Sequence, residues 1–237
     1  MKAIILAGGR GTRLAPYTTI IPKPLMPVGD MPILEVVIRQ LRHFKFLRVT
    51  LAVGYLSELI RAYFGHNPHR FTGIEIDYVY EETPTGTAGS LANIPDLNST
   101  FLVMNGDVLT TLDYSKLIDH HQRSGAALTI AACKKRVKID LGVIETNNGG
   151  EVSVYLEKPE LEYLVSMGIY VYDPRVLRFM EPGGYLDFPD LVNRLLAERE
   201  TVSTYVWEGY WLDLGRHEDI QLAIDQFAER RKEFNID

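Results

Sequence analysis

A glycine-rich loop that also carries cations stands near the start of this 237-residue chain. Gly8, Gly9 and Gly11 have no Cβ, so their backbone N–H groups can approach a polyphosphate closely. Arg13 and Lys23 lie further along the same loop and add positive charge. This combination favours binding of a polyanion over a plain glycine turn. The loop is therefore a candidate phosphate-binding site.

The loop matches neither of the two common nucleotide-binding patterns. A dinucleotide-binding GxGxxG motif that starts at Gly9 would need a glycine at the position of Leu14, and the prolines that follow prevent the expected helix. A P-loop would need a lysine directly after a glycine, whereas Lys23 stands between Pro22 and Pro24. We therefore expect Lys23 on a stiff, extended segment and a different mode of phosphate binding.

Hydrophobic periodicity predicts strands alternating with helices, which would position this loop. The aliphatic run at 2–7 is typical of a strand that is buried on both faces of a parallel sheet. Helical spacing predicts a helix at 32–44, which begins at a proline. The other predicted strands are 49–53, 74–80, 101–104, 128–132, 142–145, 152–156, 166–172 and 202–207, and the other predicted helices are 56–64, 114–123, 189–198 and 218–234. The pattern is that of an α/β protein whose second half has an antiparallel portion.

Composition narrows the classes of protein to which the chain can belong. It is 46% hydrophobic and 24% charged, as expected for a globular domain. At about 150 residues per domain it could form two units, but no linker-type segment, repeat or low-complexity tract divides it, which favours one domain. The formal charge of −6 argues against binding of a nucleic-acid backbone.

Cysteine content and apolar runs exclude further classes. Cys133 is the single cysteine, so an intrachain disulfide and a multi-cysteine metal site are excluded. No apolar run is long enough for a membrane span, and the apolar run at 3–7 is shorter than a signal-peptide core. We therefore expect a cytoplasmic protein with no membrane partner.

Several motifs resemble those of the sugar-1-phosphate nucleotidylyltransferases. The first two read LAGGRGTRL and PKPLMPVGDMPIL, and the later ones read EETPTGTAGSL, MNGD, LGV at 141–143, EKP at 157–159 and WLDLG at 211–215. The resemblance implies a Rossmann-like (GT-A-like) α/β fold with a mixed, mostly parallel central sheet flanked by helices. It implies one catalytic domain over 1–237, with a nucleotide-binding half at roughly 1–110 and a sugar-phosphate-binding half at roughly 111–237.

The resemblance also implies the reaction. A sugar 1-phosphate attacks the α-phosphorus of a nucleoside triphosphate in line and expels diphosphate, so the site must bring several negative charges together. By this resemblance Arg13 binds the leaving diphosphate, and Lys23 contacts the α-phosphate and the nucleophile. Asp107 and Asp213 are the implied ligands of Mg²⁺, a cation that prefers carboxylate and phosphate oxygens. Arg13, Lys23 and Asp107 are thus the implied catalytic residues.

The family motifs also assign the two binding sites. The implied nucleotide-binding residues are Leu6, Ala7, Gly8, Gly9, Gly11, Thr12, Arg13, Lys23, Glu81, Gly86 and Asp107. The implied sugar-phosphate-binding residues are Gly142, Glu157, Lys158 and Gly168, with the Lys158 ammonium on the phosphate and the Glu157 carboxylate on sugar hydroxyls.

Glu81 bears on the choice of base. Thymidylyl- and uridylyl-transferring members carry a glutamine at this position. A carboxylate can accept hydrogen bonds from both N1–H and N2–H₂ of guanine, whereas uracil and thymine offer it only one N–H. The motif therefore favours GTP, as in mannose- or heptose-1-phosphate guanylyltransferases, and uridylyl, thymidylyl or cytidylyl transfer are the alternatives.

Three other functions are compatible with parts of the sequence. A regulatory paralogue that binds nucleotide sugars without turnover would be expected to have lost Arg13, Lys23 or a metal aspartate. A dinucleotide-dependent oxidoreductase conflicts with Leu14, and a glycosyltransferase of related fold would be expected to carry a DxD carboxylate pair. Since bifunctional relatives continue into an acyltransferase domain, the chain is expected to be a minimal monofunctional form. The sequence leaves open the sugar and whether the protein is a homo-oligomer.

Overall fold

The computed structural model of the protein describes residues 1–81 and 83–236. The strands in chain order are β1 (Lys2–Ala7), β2 (Pro27–Val28), β3 (Met31–Pro32), β4 (Arg48–Val53), β5 (Glu75–Tyr80), β6 (Phe101–Asn105), β7 (Val108–Thr110), β8 (Leu128–Lys138), β9 (Val143–Thr146), β10 (Val152–Leu156), β11 (Glu160–Tyr172), β12 (Val202–Trp207) and β13 (Trp211–Asp213). The α-helices are α1 (Ile33–His43), α2 (Ser57–His66), α3 (Gly86–Gly89), α4 (Tyr114–Ser124), α5 (Phe188–Ala197) and α6 (His217–Arg230). Short 3-10 helices lie at Thr12–Leu14, Tyr17–Thr19, Lys23–Leu25, Pro68–Phe71, Ser90–Asn93, Pro174–Phe179 and Arg231–Phe234.

The central sheet is mixed and mostly parallel, which confirms the predicted fold class. Among the described residues, seven strands form it in the order β12-β8-β11-β6-β1-β4-β5. β1 pairs in parallel with both β4 and β6, and parallel pairs also join β4 to β5 and β12 to β8. Only β11 runs against its neighbours, β6 and β8.

Helices cover both faces of this sheet, as the continuous aliphatic character of β1 predicts. Alternate residues of β1 point to opposite faces. Ile5 packs in an apolar cluster that includes Leu34 of α1, whereas Ile4 packs with Leu191 of α5 in a separate cluster. All four of these side chains are fully buried.

A third apolar cluster lies beside the sheet and anchors segments that are distant in sequence. It includes Leu14 of the glycine-rich loop, Leu109 of β7, Leu214 after β13 and Phe227 of α6. β7 and β13 pair as a short antiparallel ribbon next to it, with Val108 opposite Asp213. The cluster therefore connects the start of the chain to the segment that carries Asp213.

β8 and β11 extend well beyond the predicted strands at 128–132 and 166–172. Their extensions, together with the β9–β10 hairpin between them, form a ribbon that we call the outer arm, residues 134–165. Its side chains are mostly exposed. Lys134 and Arg136 of β8 lie 3.1 and 3.6 Å from the Glu162 carboxylate of β11. The prediction missed these extensions because a charged ribbon with no buried face lacks the apolar pattern of a strand.

α1 and α2 are joined by an ionic cluster around Glu35, which is fully buried. The carboxylate lies 2.7 Å from Arg39 and 3.0 Å from Arg70, and it accepts a hydrogen bond from the Tyr63 hydroxyl. A buried carboxylate needs such partners because it has lost its water.

The remaining element boundaries differ little from the predicted ones. The predicted helix at 218–234 ends as an α-helix at Arg230, and a 3-10 helix completes it. Within the part of the chain that the structure describes, no helix has the length and apolarity needed to span a membrane.

Candidate active site

A cavity of about 800 Å³ opens where β1 and β4 end. In open α/β sheets this carboxyl edge of the strands is where ligands bind. All the residues that the sequence predicts for nucleotide binding line it: Leu6, Ala7, Gly8, Gly9, Gly11, Thr12, Arg13, Lys23, Glu81, Gly86 and Asp107. The fold thus brings together residues from four separate motifs, and their individual roles stay predictions.

The glycine-rich loop is fixed by its own hydrogen bonds and by one apolar anchor. The carbonyl of Gly11 accepts hydrogen bonds from the Leu14 amide at 2.9 Å and from the Thr18 hydroxyl at 2.8 Å. Leu14 is fully buried, whereas Arg13 before it is exposed. Arg13 thus lines the cavity next to a residue that is anchored in the apolar interior.

Lys23 does not lie on an extended segment, so that prediction was wrong. It begins the 3-10 turn Lys23–Leu25, which the Leu25 amide closes by donating to the Pro22 carbonyl at 2.8 Å. Proline is compatible with the second position of such a turn, because its fixed φ suits it and it needs no N–H there. The turn directs the Lys23 ammonium to the Asp107 carboxylate.

Asp107 and Asp213 lie together, as the sequence predicts. Asp107 stands just before β7 and Asp213 ends β13, and the Leu214 amide donates to the Asp107 carbonyl at 3.1 Å. The Lys23 ammonium forms an ion pair with Oδ2 of Asp107 and lies 3.9 Å from Oδ1 of Asp213. One lysine thus faces two carboxylates.

The electrostatics of this pair suit a divalent cation. Partial burial and the neighbouring Asp107 carboxylate raise the pKa of Asp213. Oδ1 of Asp107 is buried without a hydrogen-bond partner. Within 1–81 and 83–236, no group of three or more His, Cys, Asp or Glu side chains could hold a metal. A Mg²⁺ ion held by these two carboxylates would take its remaining ligands from phosphates and water.

Glu81 lines the cavity beside the glycine-rich loop. Its Oε1 accepts a hydrogen bond from the Thr85 hydroxyl at 2.8 Å, and its Oε2 is 3.1 Å from the place where a Cβ on Gly8 would stand. Gly86 has φ +82° and no room for a side chain, because its Cβ would lie 2.5 Å from the Leu186 carbonyl oxygen. Glycine is therefore required at this position.

The loop at 83–89 is clasped to the segment before α5. The Ala88 and Gly89 amides both donate to the Leu186 carbonyl at 2.9 Å. Asp187 accepts a hydrogen bond from the Thr87 amide at 3.1 Å, and the Thr87 hydroxyl accepts one from the Phe188 amide at 2.9 Å. The second half of the chain thus contributes directly to a cavity formed mainly by the first half.

Several cavity residues were not predicted from the sequence. They are Arg10, Pro24, Ala52, Gly54, Tyr55, Pro84, Thr87, Ser90, Asn105, Tyr185 and Asp187. The guanidinium of Arg10 lies 5.9 Å from the centre of the Tyr55 ring, a cation–π geometry. The position of Arg10 inside the glycine motif was a usable signal. Tyr185 and Asp187 belong to no motif, so nothing local in the sequence marks them.

The predicted sugar-phosphate residues are more dispersed. Gly142, Glu157 and Lys158 lie on the outer arm and do not line the cavity among the described residues, and the Tyr155 hydroxyl donates to the Glu157 carboxylate at 2.9 Å. Gly168 is buried at a bulge in β11 with φ +73°. A Cβ at this position would lie 2.7 Å from Nδ2, the side-chain amide nitrogen of Asn105. Gly168 therefore leaves space for a residue of the cavity wall.

Comparisons with known proteins show the family to which the chain is similar. A family model described as nucleotidyl transferase matches residues 2–230. The chain is 33% identical over 246 residues to a UTP–glucose-1-phosphate uridylyltransferase of Synechocystis sp., covering 94% of this chain and 62% of that protein. It is 32% identical over 225 residues to a mannose-1-phosphate guanylyltransferase of Mycobacterium tuberculosis, covering 92% of this chain and 62% of that protein.

A solved structure has the same fold. It is that of a putative glucose-1-phosphate thymidylyltransferase from Bacillus anthracis in complex with sucrose. The TM-score is 0.74 and the sequence identity 25%, with 95% of this chain and 94% of that chain covered. The chain spans 62% of the length of the two curated relatives above.

Proposed function

The chain belongs to the nucleotidyl transferase family, and on that premise we propose that it transfers a nucleotidyl group from a nucleoside triphosphate to a sugar 1-phosphate. The products are the nucleoside diphosphate sugar and diphosphate. The observation that carries this proposal is the meeting of the glycine-rich loop, Lys23 and the two aspartates at one cavity.

Different residues of the cavity bind different parts of the substrates. Backbone amides of the glycine-rich loop hold the triphosphate, and the exposed Arg13 binds the diphosphate as it leaves. The Lys23 ammonium offsets the charge of the α-phosphate and orients the attacking phosphate. No general base is needed, since a sugar phosphate is already an anion near neutral pH.

Asp107 and Asp213 would hold Mg²⁺. When bound, the cation supplies charge neutralisation between the phosphates that react. Lys23 faces both carboxylates, and its positive charge offsets their mutual repulsion while the substrates are absent.

GTP is the nucleotide that Glu81 favours. Its Oε1 is already engaged by the Thr85 hydroxyl, and Oε2 has no hydrogen-bond partner among the described residues. A guanine edge with two adjacent N–H donors is the natural complement of such a carboxylate. The relatives, named for uridylyl, guanylyl and thymidylyl transfer, leave several bases to be compared.

The sugar 1-phosphate binds between the cavity and the outer arm. Lys158 offers the phosphate a cation and Glu157, oriented by Tyr155, accepts hydrogen bonds from sugar hydroxyls. Lys135 is an exposed lysine of the same arm that no motif assigns to the site, so it is the matched control for Lys158.

Diphosphate release with Mg²⁺ tests the proposal. GTP, UTP, CTP, dTTP and ATP would each be combined with a panel of hexose and heptose 1-phosphates. We expect turnover with GTP and one class of sugar phosphate, and a shift towards UTP or dTTP in Glu81→Gln. If nucleotides bind but no combination of nucleotide and sugar phosphate gives turnover, a catalytic role is contradicted and a regulatory paralogue is favoured.

A further inference from the structure

Tyr185 has an unusual combination of exposure and fixation. Its side chain lines the cavity and is 66% exposed, yet its hydroxyl donates to Oδ2 of Asp187 at 2.7 Å. Asp187 is itself held through Oδ1 by the amide of Thr87. An exposed ring anchored in this way is preorganised, so little conformational entropy is lost when something packs on it.

The ring is tied to the loop at 83–89, which lines the cavity together with the glycine-rich loop. Asp187, which holds the Tyr185 hydroxyl, accepts a hydrogen bond from the Thr87 amide, and the Thr85 hydroxyl of the same loop donates to Glu81. Under the proposed function Glu81 reads the base, so hydrogen bonds join Tyr185 to the loop that would lie beside that base.

A flat, partly apolar ligand fits this position better than water does. The exposed face of an aromatic ring gains free energy when another π-surface covers it. Nucleobases are such surfaces, because every base has a π-face on which an aromatic ring can stack. The hydrogen-bonding groups of Glu81 would then read the edge of a base whose face is covered.

Given the nucleotidyl transfer proposed above, we propose that Tyr185 is the stacking platform for the base of the bound nucleoside triphosphate. Its role is to bind and orient the base, and it takes no part in the chemical step. Purines, with the larger π-surface, gain more from this contact than pyrimidines do. The residue is thus a specificity determinant that no motif of the sequence marks.

Calorimetric titration of the whole chain with GTP, UTP and inorganic tripolyphosphate tests this role. Tripolyphosphate carries the charge of the ligand without a base. Tyr185→Leu removes the ring, whereas Tyr185→Phe keeps the ring and removes only its hydrogen bond to Asp187. Tyr163→Leu is the matched control, because Tyr163 is 51% exposed on the outer arm and does not line the cavity.

We expect Tyr185→Leu to weaken GTP binding by about 5- to 100-fold, UTP binding less, and tripolyphosphate binding not at all. In steady state the variant should raise KM for GTP with kcat unchanged. Tyr185→Phe should lie between it and the unaltered protein, and Tyr163→Leu should match the unaltered protein.

The contrary results fall into two kinds. Unchanged GTP affinity in Tyr185→Leu, or an equal loss of affinity for tripolyphosphate, would overturn the stacking role, the latter because the ring would then only support the loop. If the unaltered protein binds neither nucleotides nor tripolyphosphate, the proposed function fails together with it.

Discussion

At the scale of single residues, the site is organised by one lysine between two aspartates. Lys23 is 12% exposed and Asp107 18%, so their ion pair is shielded from water and screened little by salt. Asp213 is more exposed and more distant from the ammonium. The two carboxylates therefore differ in what they contribute to the folded chain, although both are proposed to bind the same metal.

This difference predicts opposite effects on stability. Asp107→Asn should lower the free energy of unfolding by about 1–2 kcal/mol, because Lys23 then keeps a buried charge without its close partner. Asp213→Asn should leave the melting temperature unchanged or slightly higher. The pKa of Asp213 is raised, which means that folding disfavours its ionised form, and the neutral amide removes that penalty. Both variants should lose turnover.

Thermal and urea unfolding without Mg²⁺, combined with diphosphate release, measure these effects. If Asp213→Asn unfolds as easily as Asp107→Asn, Asp213 has a structural role that its position does not suggest. Near-normal turnover in either variant would contradict the proposed metal site.

The residues of the cavity were predictable to unequal degrees. Gly8, Lys23 and Asp107 were found because each belongs to a compact motif whose residues act together. Tyr185 was not found, because it is tied to the cavity loop through Asp187, whose other partner Thr87 is distant in the sequence and meets it only in the folded chain. Local patterns contain no trace of such long-range contacts.

At the scale of elements, the central strands of the sheet were predicted well because burial on both faces leaves a continuous aliphatic run. The short strands β2, β3, β7 and β13 were missed, since two or three residues are too few to show any periodicity. Their positions depend on tertiary contacts. β13, for example, is defined by its pairing with β7.

The junction of α1 and α2 gives a prediction at this scale. Tyr63→Phe should lower the free energy of unfolding by about 1–3 kcal/mol. The reason is that the buried, charged carboxylate of Glu35 loses the hydrogen bond that the Tyr63 hydroxyl donates to it. Turnover should be unaffected, since the cluster does not line the cavity. Urea unfolding and diphosphate release measure the two effects.

The same tyrosine makes the effect depend on pH. Burial, together with the hydrogen bond to Glu35, raises the pKa of Tyr63 to about 12. A tyrosine in the unfolded chain has a pKa of about 10, so about half of its hydroxyls are ionised at that pH. Its stabilising contribution is therefore complete below pH 10 and is lost as the pH rises towards 12. The difference between the unaltered protein and Tyr63→Phe should shrink over that interval, and a constant difference would contradict the assignment.

At the scale of the whole molecule, the two proposed substrates depend on different parts of the chain. The cavity lies at the edge of the central sheet, and among the described residues none from the outer arm lines it. Glu157 and Lys158 follow β10, on the arm. Nucleotide binding and sugar-phosphate binding should therefore be separable by altering the arm alone.

The register of β8 and β11 permits a clean separation. Lys138 pairs with Glu160, so an Asn-Gly turn can replace residues 139–159 and join the two strands as a tight hairpin. The shortened protein should keep its melting temperature and its affinity for GTP. Its kcat/KM for the sugar 1-phosphate should fall at least about 100-fold, because each lost charged contact is worth roughly 1.5–3 kcal/mol.

Point variants of the full chain complete this test. Lys158→Ala should reproduce much of the loss in kcat/KM through a higher KM for the sugar phosphate, whereas Lys135→Ala should have no effect. If the shortened protein used the sugar phosphate with an unchanged KM, the sugar site would have to lie among the core residues instead. If it lost GTP binding as well, the arm would support the cavity, and the two sites could not be independent. The expected separation would show that the edge of the central sheet binds the nucleotide, whereas the outer arm binds the sugar 1-phosphate.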